Sequence, residues 1–211
     1  MNFGILIFPD VEELDFVGPW EMVGIWSDRE NGPGNCFIIS EHKEPVKCSK
    51  GLTVVPDLTI NQCPELDFLL VPGGRGTRRE VDNQKLINFI SEKSEKAKTV
   101  LSVCTGSFLL QRAGLLSGKK ATTHWGSLDR LRELGDVEVV EERFTRDGRI
   151  WTAAGISAGI DMVLAFIASI TDEQVAGRIQ LYAEYYPSQK LYGNAHKEAG
   201  APGYIKQGGF S

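Results

Sequence analysis

Histidine is scarce in this sequence, with three in 211 residues, and the common metal-binding patterns are missing. There is no H-E-x-x-H motif, no paired C-x-x-C and no EF-hand loop, so we expect no metal ion. A P-loop is also missing, and no G-x-G-x-x-G opens a helix, which argues against nucleotide hydrolysis and dinucleotide binding. The sequence therefore points away from metal and nucleotide chemistry.

Long apolar runs and an excess of positive charge are absent as well. No apolar run reaches the roughly 18 residues that a membrane span needs, and the short apolar start indicates a first strand, not a signal peptide. The 23 lysines and arginines stand against 28 aspartates and glutamates, a formal charge of −5. Nucleic-acid binding usually depends on a basic face. We therefore expect a cytoplasmic protein with neither a nucleic acid nor a membrane as its partner.

What is present is the composition of an ordinary globular chain. The apolar fraction is 42% and the charged fraction 24%, which is close to the average for folded domains. The length suits one domain, which we assign to residues 1–186. Residues 187–211 are rich in glycine and lack periodicity, so we expect a tail that is docked or partly mobile.

Apolar runs and helical patterns alternate along the chain. Strands are predicted at 3–8, 36–40, 66–71 and 99–103, and helices at 15–26, 83–96, 105–113, 127–134, 157–170 and 172–185. An Asp147-Gly148 turn predicts a hairpin between residues 137–142 and 149–152. This alternation predicts an α/β sandwich with a mostly parallel sheet. Such sheets bind ligands beyond the carboxyl ends of their strands.

Cys104 stands at one of these strand ends. It follows a buried strand and precedes a helix, the arrangement of the nucleophile elbow, although the G-x-S-x-G motif is absent. A helix N-terminus favours the thiolate, which is the nucleophilic form of cysteine. A buried, unreactive cysteine at the end of a strand is the alternative. Position alone does not decide between the two.

Other strand ends carry residues that suit acid–base or oxyanion chemistry. Asp15 follows the first strand and could hold or pass a proton, although capping the next helix is its commoner role. The backbone amides of Gly73 and Gly74 could bind an oxyanion, or the two glycines could form a tight turn. The Thr105 hydroxyl could bind a substrate or the thiolate, or Thr105 could simply occupy the first helical turn. His124 could line a pocket or be a structural histidine.

Taken together, the strand ends resemble the ThiJ/PfpI superfamily, which has the class I glutamine amidotransferase-like fold. The resemblance covers about residues 1–185 and is closest to the bacterial isocyanide hydratase branch. The segments that carry it occur in the expected order: LDFVGP at 14–19, VPGG at 71–74, SVCTGS at 102–107, ATTHW at 121–125 and GISAGID at 155–161.

The resemblance implies a flavodoxin-like three-layer sandwich and a set of site residues. Cys104 matches the nucleophile and Asp15 matches the acid that pairs with it. Gly73 and Gly74 match the oxyanion site. Thr105 follows the cysteine as in the isocyanide hydratase branch. The protease branch has histidine there, so the resemblance does not favour a peptidase.

The implied reaction is the addition of water to an isocyanide through a cysteine thioimidate, giving an N-substituted formamide. This would make the protein a lyase that acts on a small molecule without a cofactor, as a homodimer. We expect Trp20, His124, Trp125 and Ile156 to form an apolar pocket. The alternatives are an amidase, glyoxalase or deglycase that uses the same site, and a cysteine-based redox or ligand sensor without turnover.

Overall fold

The computed structural model describes residues 1–187, 192–198 and 200–206 of the chain. Within these residues the strands are β1 (Asn2–Leu6), β2 (Asn35–Ser40), β3 (Val46–Lys47), β4 (Thr53–Val54), β5 (Leu58–Thr59), β6 (Phe68–Val71), β7 (Thr99–Val103), β8 (Lys120–Ala121), β9 (Glu138–Val139), β10 (Phe144–Asp147) and β11 (Ile150–Ala153).

The helices of the same residues range from single turns to the 17-residue α1. They are α1 (Glu13–Arg29), α2 (Thr77–Glu80), α3 (Gln84–Lys96), α4 (Gly106–Arg112), α5 (Leu128–Arg132), α6 (Ala158–Ile170), α7 (Glu173–Tyr182) and α8 (Gly203–Lys206). None of the helices in the described ranges combines the length and the apolar character that crossing a membrane requires.

Seven strands form one sheet in the order β10-β11-β7-β6-β1-β2-β5. Every neighbouring pair is parallel except β10 with β11. All residues of β6, β7 and β11 are buried, as expected for parallel strands that are covered on both faces. The predicted α/β sandwich with a mostly parallel, flavodoxin-like sheet is confirmed.

The connections place helices on both faces of this sheet. The chain moves from β1 to β2 in one direction and from β6 to β7 in the other. Because parallel crossovers are right-handed, α1 and α3 lie on opposite faces. Helix α1 packs with α6 and α7, while α4 packs with α2 and α3. The carboxyl ends of β1, β6 and β7 are therefore neighbours, at the point where ligands bind in such folds.

Side chains define the starts of two long helices. The Asn83 side chain accepts a hydrogen bond from the Leu86 N–H (3.4 Å), and that of Asp172 accepts one from the Val175 N–H (2.8 Å). Both are N-caps of the usual kind. The predicted starts of α3 and α7 lie within one residue of those observed.

The predicted hairpin is wrong in one of its strands. Residues 137–142 were expected to pair with 149–152, but β10 is the antiparallel partner of β11, with Asp147 opposite Ile150. Gly148 has a φ of +60° in the connecting turn. This turn is so tight that only the residues directly before it can pair across it. Strand β9 pairs instead with β8, in a small parallel sheet.

Three described residues of the predicted tail contact the domain. The Gly203 N–H donates to Oε2 of Glu141 (3.4 Å), and Tyr204 packs against the core. Gly200 lies next to the ring of Trp125. The rest of the predicted tail, residues 188–191, 199 and 207–211, lies outside the described residues.

Candidate active site

Cys104 occupies a sharp turn between β7 and α4. Its φ is +56°, a left-handed conformation that is uncommon for non-glycine residues and that is enriched at active sites. The Cys104 N–H donates to the carbonyls of Ala153 (3.0 Å) and Ala154 (3.1 Å), and its carbonyl accepts from the Thr123 hydroxyl (2.9 Å). Cys104 is only 6% exposed. The elbow geometry predicted for Cys104 is therefore present, in a buried form.

Two glycines allow this turn to approach β6 closely. A Cβ on Gly106 would collide with the carbonyl oxygen of Val71. A Cβ on Gly73 would lie 2.5 Å from the Thr105 backbone nitrogen and 2.9 Å from Cβ of Cys104. Any side chain at either position would push the turn away from the neighbouring strand end.

Asp15 points into the site from the first turn of α1. It is fully buried, and its Oδ2 accepts a hydrogen bond from the Gly73 N–H (2.9 Å). Glu12 holds the N-cap position instead, without a side-chain capping bond. The prediction that Asp15 caps this helix is therefore wrong. Oδ1 of Asp15 has no hydrogen-bond partner among the described residues, which leaves it available to a substrate or a water.

Burial controls the protonation of both groups. Burial raises the pKa of Asp15 to about 8, against the lowering effect of the Gly73 N–H, and the charge of Glu12 raises it further. Burial also raises the pKa of Cys104, as does the charge of Asp15, whereas the Thr105 backbone N–H and hydroxyl lower it. At neutral pH Asp15 is therefore largely a neutral acid that interacts with the Cys104 thiol.

Thr105 belongs to a hydroxyl network that sequence reasoning missed. Its Oγ1 accepts hydrogen bonds from the Gly74 N–H (3.1 Å) and from the Thr77 hydroxyl (3.0 Å). The Thr77 hydroxyl also lies 2.8 Å from the Gly74 carbonyl oxygen. Thr77 is buried, and its place three residues after Gly74 was the only signal that could have identified it.

The amides of Gly73 and Gly74 are thus engaged with side chains of the site. Gly73 orients Asp15 and Gly74 orients Thr105. The backbone amide that interacts with the thiol is that of Thr105. The geometry favours a positioning role for the two glycines, and their contact with an oxyanion stays a prediction.

A charged pair beside the site modulates Asp15. Lys50, in the loop between β3 and β4, places its Nζ 2.8 Å from Oε2 of Glu12, and its backbone N–H donates to Glu13 (2.6 Å). Glu12 raises the pKa of Asp15, and Lys50 lowers it. Lys50 was not predicted, because it reaches the site from a distant hairpin.

Contacts are visible for parts of the predicted apolar pocket, and its formation as one group stays a prediction. His124 and Trp125 lie together, with ring centroids 5.6 Å apart, and Gly155 packs against His124. Ile156, the next residue, is half-buried. Trp20, on α1, lines a hollow together with Tyr182.

The surroundings of His124 favour the neutral form of its side chain. Burial lowers its pKa, although the charge of Glu12 opposes this effect. Its Nδ1 accepts a hydrogen bond from the Gly126 N–H (3.2 Å), so the ring proton resides on Nε2.

In the part of the chain that the structure describes, no group of three His, Cys, Asp or Glu side chains could hold a metal ion.

Known proteins share both the sequence and this architecture. Isonitrile hydratase of Pseudomonas putida is 38% identical over 188 residues, covering 89% of this chain and 80% of that protein. The HTH-type transcriptional regulator CdhR of Pseudomonas aeruginosa is 29% identical over 84% of this chain, which spans only 53% of the regulator. A crystal structure of a THiJ/PfpI family protein from Pseudomonas syringae superposes with a TM-score of 0.85 at 33% identity, covering 98% of this chain and 83% of that one.

The family resemblance inferred from the strand ends is confirmed by these similarities. The model of the DJ-1/PfpI family matches residues 2–169, a range that includes Asp15, Gly73, Cys104 and His124. The chain therefore belongs to the DJ-1/PfpI family.

Proposed function

We propose that this protein is a cysteine-dependent hydratase that converts an isocyanide and water into an N-substituted formamide. The observation that carries the proposal is a buried carboxyl, neutral at pH 7, beside a thiol on a strained elbow. Such a carboxyl can donate a proton to one atom and accept one from another. The similarity to an isonitrile hydratase supports the same reaction class.

In the first step the Cys104 sulfur bonds to the terminal carbon of the isocyanide. Asp15 gives its proton to this carbon and takes the proton of the thiol, so that the carboxyl ends the step neutral. The product is a thioimidate, S–CH=N–R, and no charge remains in the buried site. The Thr105 backbone N–H and hydroxyl stabilise the sulfur while the proton moves.

In the second step water adds to the thioimidate carbon. Asp15 donates its proton to the imine nitrogen and accepts one from the water. The tetrahedral adduct then breaks its C–S bond, and the hydroxyl proton returns through Asp15 to the sulfur. Formamide leaves, and the thiol and the carboxyl are as they were, so one water is consumed and nothing is oxidised or reduced.

The decisive experiment is hydration of an aryl isocyanide by the purified protein, with the formamide identified by NMR. We expect Cys104→Ala and Asp15→Asn each to lose at least about 1000-fold in turnover, since each removes a group that the reaction requires. Cys63→Ala is the matched control, because Cys63 is also a buried free cysteine. Its thiol donates a hydrogen bond to the carbonyl of Pro64 and does not contact the site. This variant should keep full activity.

Turnover that survives in Cys104→Ala would overturn the proposal. So would a wild-type protein, with its thiol titratable, that leaves a panel of aryl and alkyl isocyanides unchanged. Amides and 2-oxoaldehydes are the next substrates in that case. Reversible oxidation of Cys104 without turnover of any of them would identify a sensor.

The predicted homodimer would cover an apolar surface beside the site. Leu14 and Val17 on α1 are exposed, as is Leu52, whose N–H is directed at Glu13. Light scattering of the purified protein measures its mass directly. A monomeric mass at micromolar concentration would contradict this prediction.

A further inference from the structure

Three arginines from three different helices converge on one hollow of the surface. Arg78 comes from α2, Arg112 from α4 and Arg130 from α5, and the hollow between them has a volume of about 390 Å³. Neither Cys104 nor Asp15 lines it. Such a concentration of positive charge is unexpected in a chain whose formal charge is −5.

Arg130 is the most constrained of the three. Its guanidinium carbon lies 3.8 Å from the centre of the Phe108 ring, and Phe108 itself is buried. Stacking of this kind fixes the guanidinium plane and leaves its N–H groups at the edge free to donate. Burial lowers the pKa of Arg130, and so does the nearby charge of Arg78. Two guanidinium groups are therefore held close enough to repel each other.

The positive charge of this cluster exceeds the negative charge near it. Arg79, Arg132 and Arg178 each form a salt bridge, but among the described residues none is formed by the three arginines of the hollow. Asp82 is the one carboxylate among the lining residues. Three positive charges against one negative leave the hollow with a net charge of about +2.

We propose that this hollow is a binding site for a small organic phosphate monoester. A phosphate monoester carries a charge close to −2 at neutral pH and three oxygens that accept hydrogen bonds. One guanidinium group can donate two parallel hydrogen bonds to two oxygens of the same phosphate. Phe108, Val81 and Leu134 line the same hollow and provide an apolar wall for the organic part of the ligand.

Arg146 shows how an ordinary surface arginine differs. It also lies over an aromatic ring, that of Trp151, at 5.1 Å. Its Nε donates to the carbonyl of Gly148 (3.0 Å) in its own hairpin turn, and it does not line the hollow. Arg146 is therefore a matched control for loss of one stacked arginine.

Calorimetric titration of the full chain with inorganic phosphate and with phenyl phosphate tests the proposal. The ionic strength must be held constant with sodium chloride, because surface charges are screened by salt. We expect saturable binding of one ligand per chain, with phenyl phosphate bound more tightly than inorganic phosphate. Arg78→Gln and Arg130→Gln should each weaken binding by at least about tenfold, since each removes a charge-assisted contact, whereas Arg146→Gln should not.

Thermal unfolding separates loss of the site from loss of the fold. Without phosphate, Arg78→Gln should unfold at the same temperature as the wild type or above it, because a repulsion has been removed. Phenyl phosphate should raise the unfolding temperature of the wild type more than that of Arg78→Gln. The proposal is overturned if neither phosphate binds saturably, or if Arg78→Gln and Arg130→Gln bind phenyl phosphate as the wild type does. Binding of a dicarboxylate such as succinate in place of phenyl phosphate would overturn it too.

Discussion

Replacing Asp15 with asparagine should stabilise the protein at neutral pH while it abolishes the proposed reaction. Burial raises the pKa of Asp15 from 3.8 to about 8. The unfolded chain gives up this proton near the lower value, whereas the folded chain keeps it until the higher one. Between the two values the folded state binds one more proton than the unfolded state, so the free energy of unfolding falls as the pH rises.

The magnitude follows from this window. Each pH unit lowers the free energy of unfolding by about 1.4 kcal/mol through this one group. At pH 7 the free energy of unfolding has fallen by roughly 4 kcal/mol in total. This is the upper limit of the stability that Asp15→Asn can restore. The asparagine keeps a carbonyl oxygen for the Gly73 N–H, so the hydrogen bond of Asp15 has a substitute. We expect a gain of about 2–4 kcal/mol at pH 7 that shrinks towards zero as the pH falls to about 4.

Urea unfolding at pH 5, 6, 7 and 8 measures this difference. Asp67→Asn is a control of opposite sign, because Lys98 and the Asn2 N–H lower the pKa of Asp67. It should lose stability by the same amount at all four pH values, because the pKa of Asp67 is lowered from an ordinary value that already lies below pH 5. The reasoning fails if Asp15→Asn is less stable than the wild type at pH 7, or if the gap stays constant from pH 8 to pH 5.

Three further outcomes check the site. Gly73→Ala should lower kcat at least about 100-fold, because the new side chain displaces the elbow. Gly24→Ala is the control, because the space around its Cβ position is open. It should keep kcat and gain about 0.5–1 kcal/mol in the free energy of unfolding, measured in urea. Thr77→Val should lower turnover and cost about 1 kcal/mol through its lost hydrogen bonds, and Thr77→Ser should restore both. Lys50→Gln should shift the alkaline limb of the pH–rate profile to higher pH. Lys50 lowers the pKa of Asp15, so its removal should raise that pKa. An unchanged limb would contradict this prediction.

The strand ends were predictable because their signals are local. Buried apolar runs followed by glycine or cysteine mark where parallel strands stop, and Cys104 was identified in this way. The side-chain direction of Asp15 could not be derived, because the same position in the first turn of a helix serves as a cap or points into the fold. Only the proximity of Gly73, from a strand far along the chain, decides between the two.

Other parts of the site depend on contacts that no local pattern encodes. Lys50 reaches Glu12 from a separate hairpin, and Trp20 on α1 shares a hollow with Tyr182 of α7. The arginine hollow joins three short helical segments that are ordinary surface sequence when taken singly. Periodicity specifies which face of a helix is buried, but it does not specify which exposed side chains meet across different helices.

The position of the site at three neighbouring strand ends also constrains how the protein folds. Strand β1 pairs with β6, and β6 with β7, through contacts such as Phe3 with Phe68 and Phe68 with Thr99. These are long-range parallel pairings, which form slowly because much of the chain must be ordered before they gain any contact energy. Until they form, Asp15 and Cys104 are an ordinary carboxylate and an ordinary thiol, free to react with whatever the nascent chain meets. The pair of Asp15 and Cys104 therefore comes into existence only with the assembled sheet, so that the proposed chemistry is restricted to the finished fold.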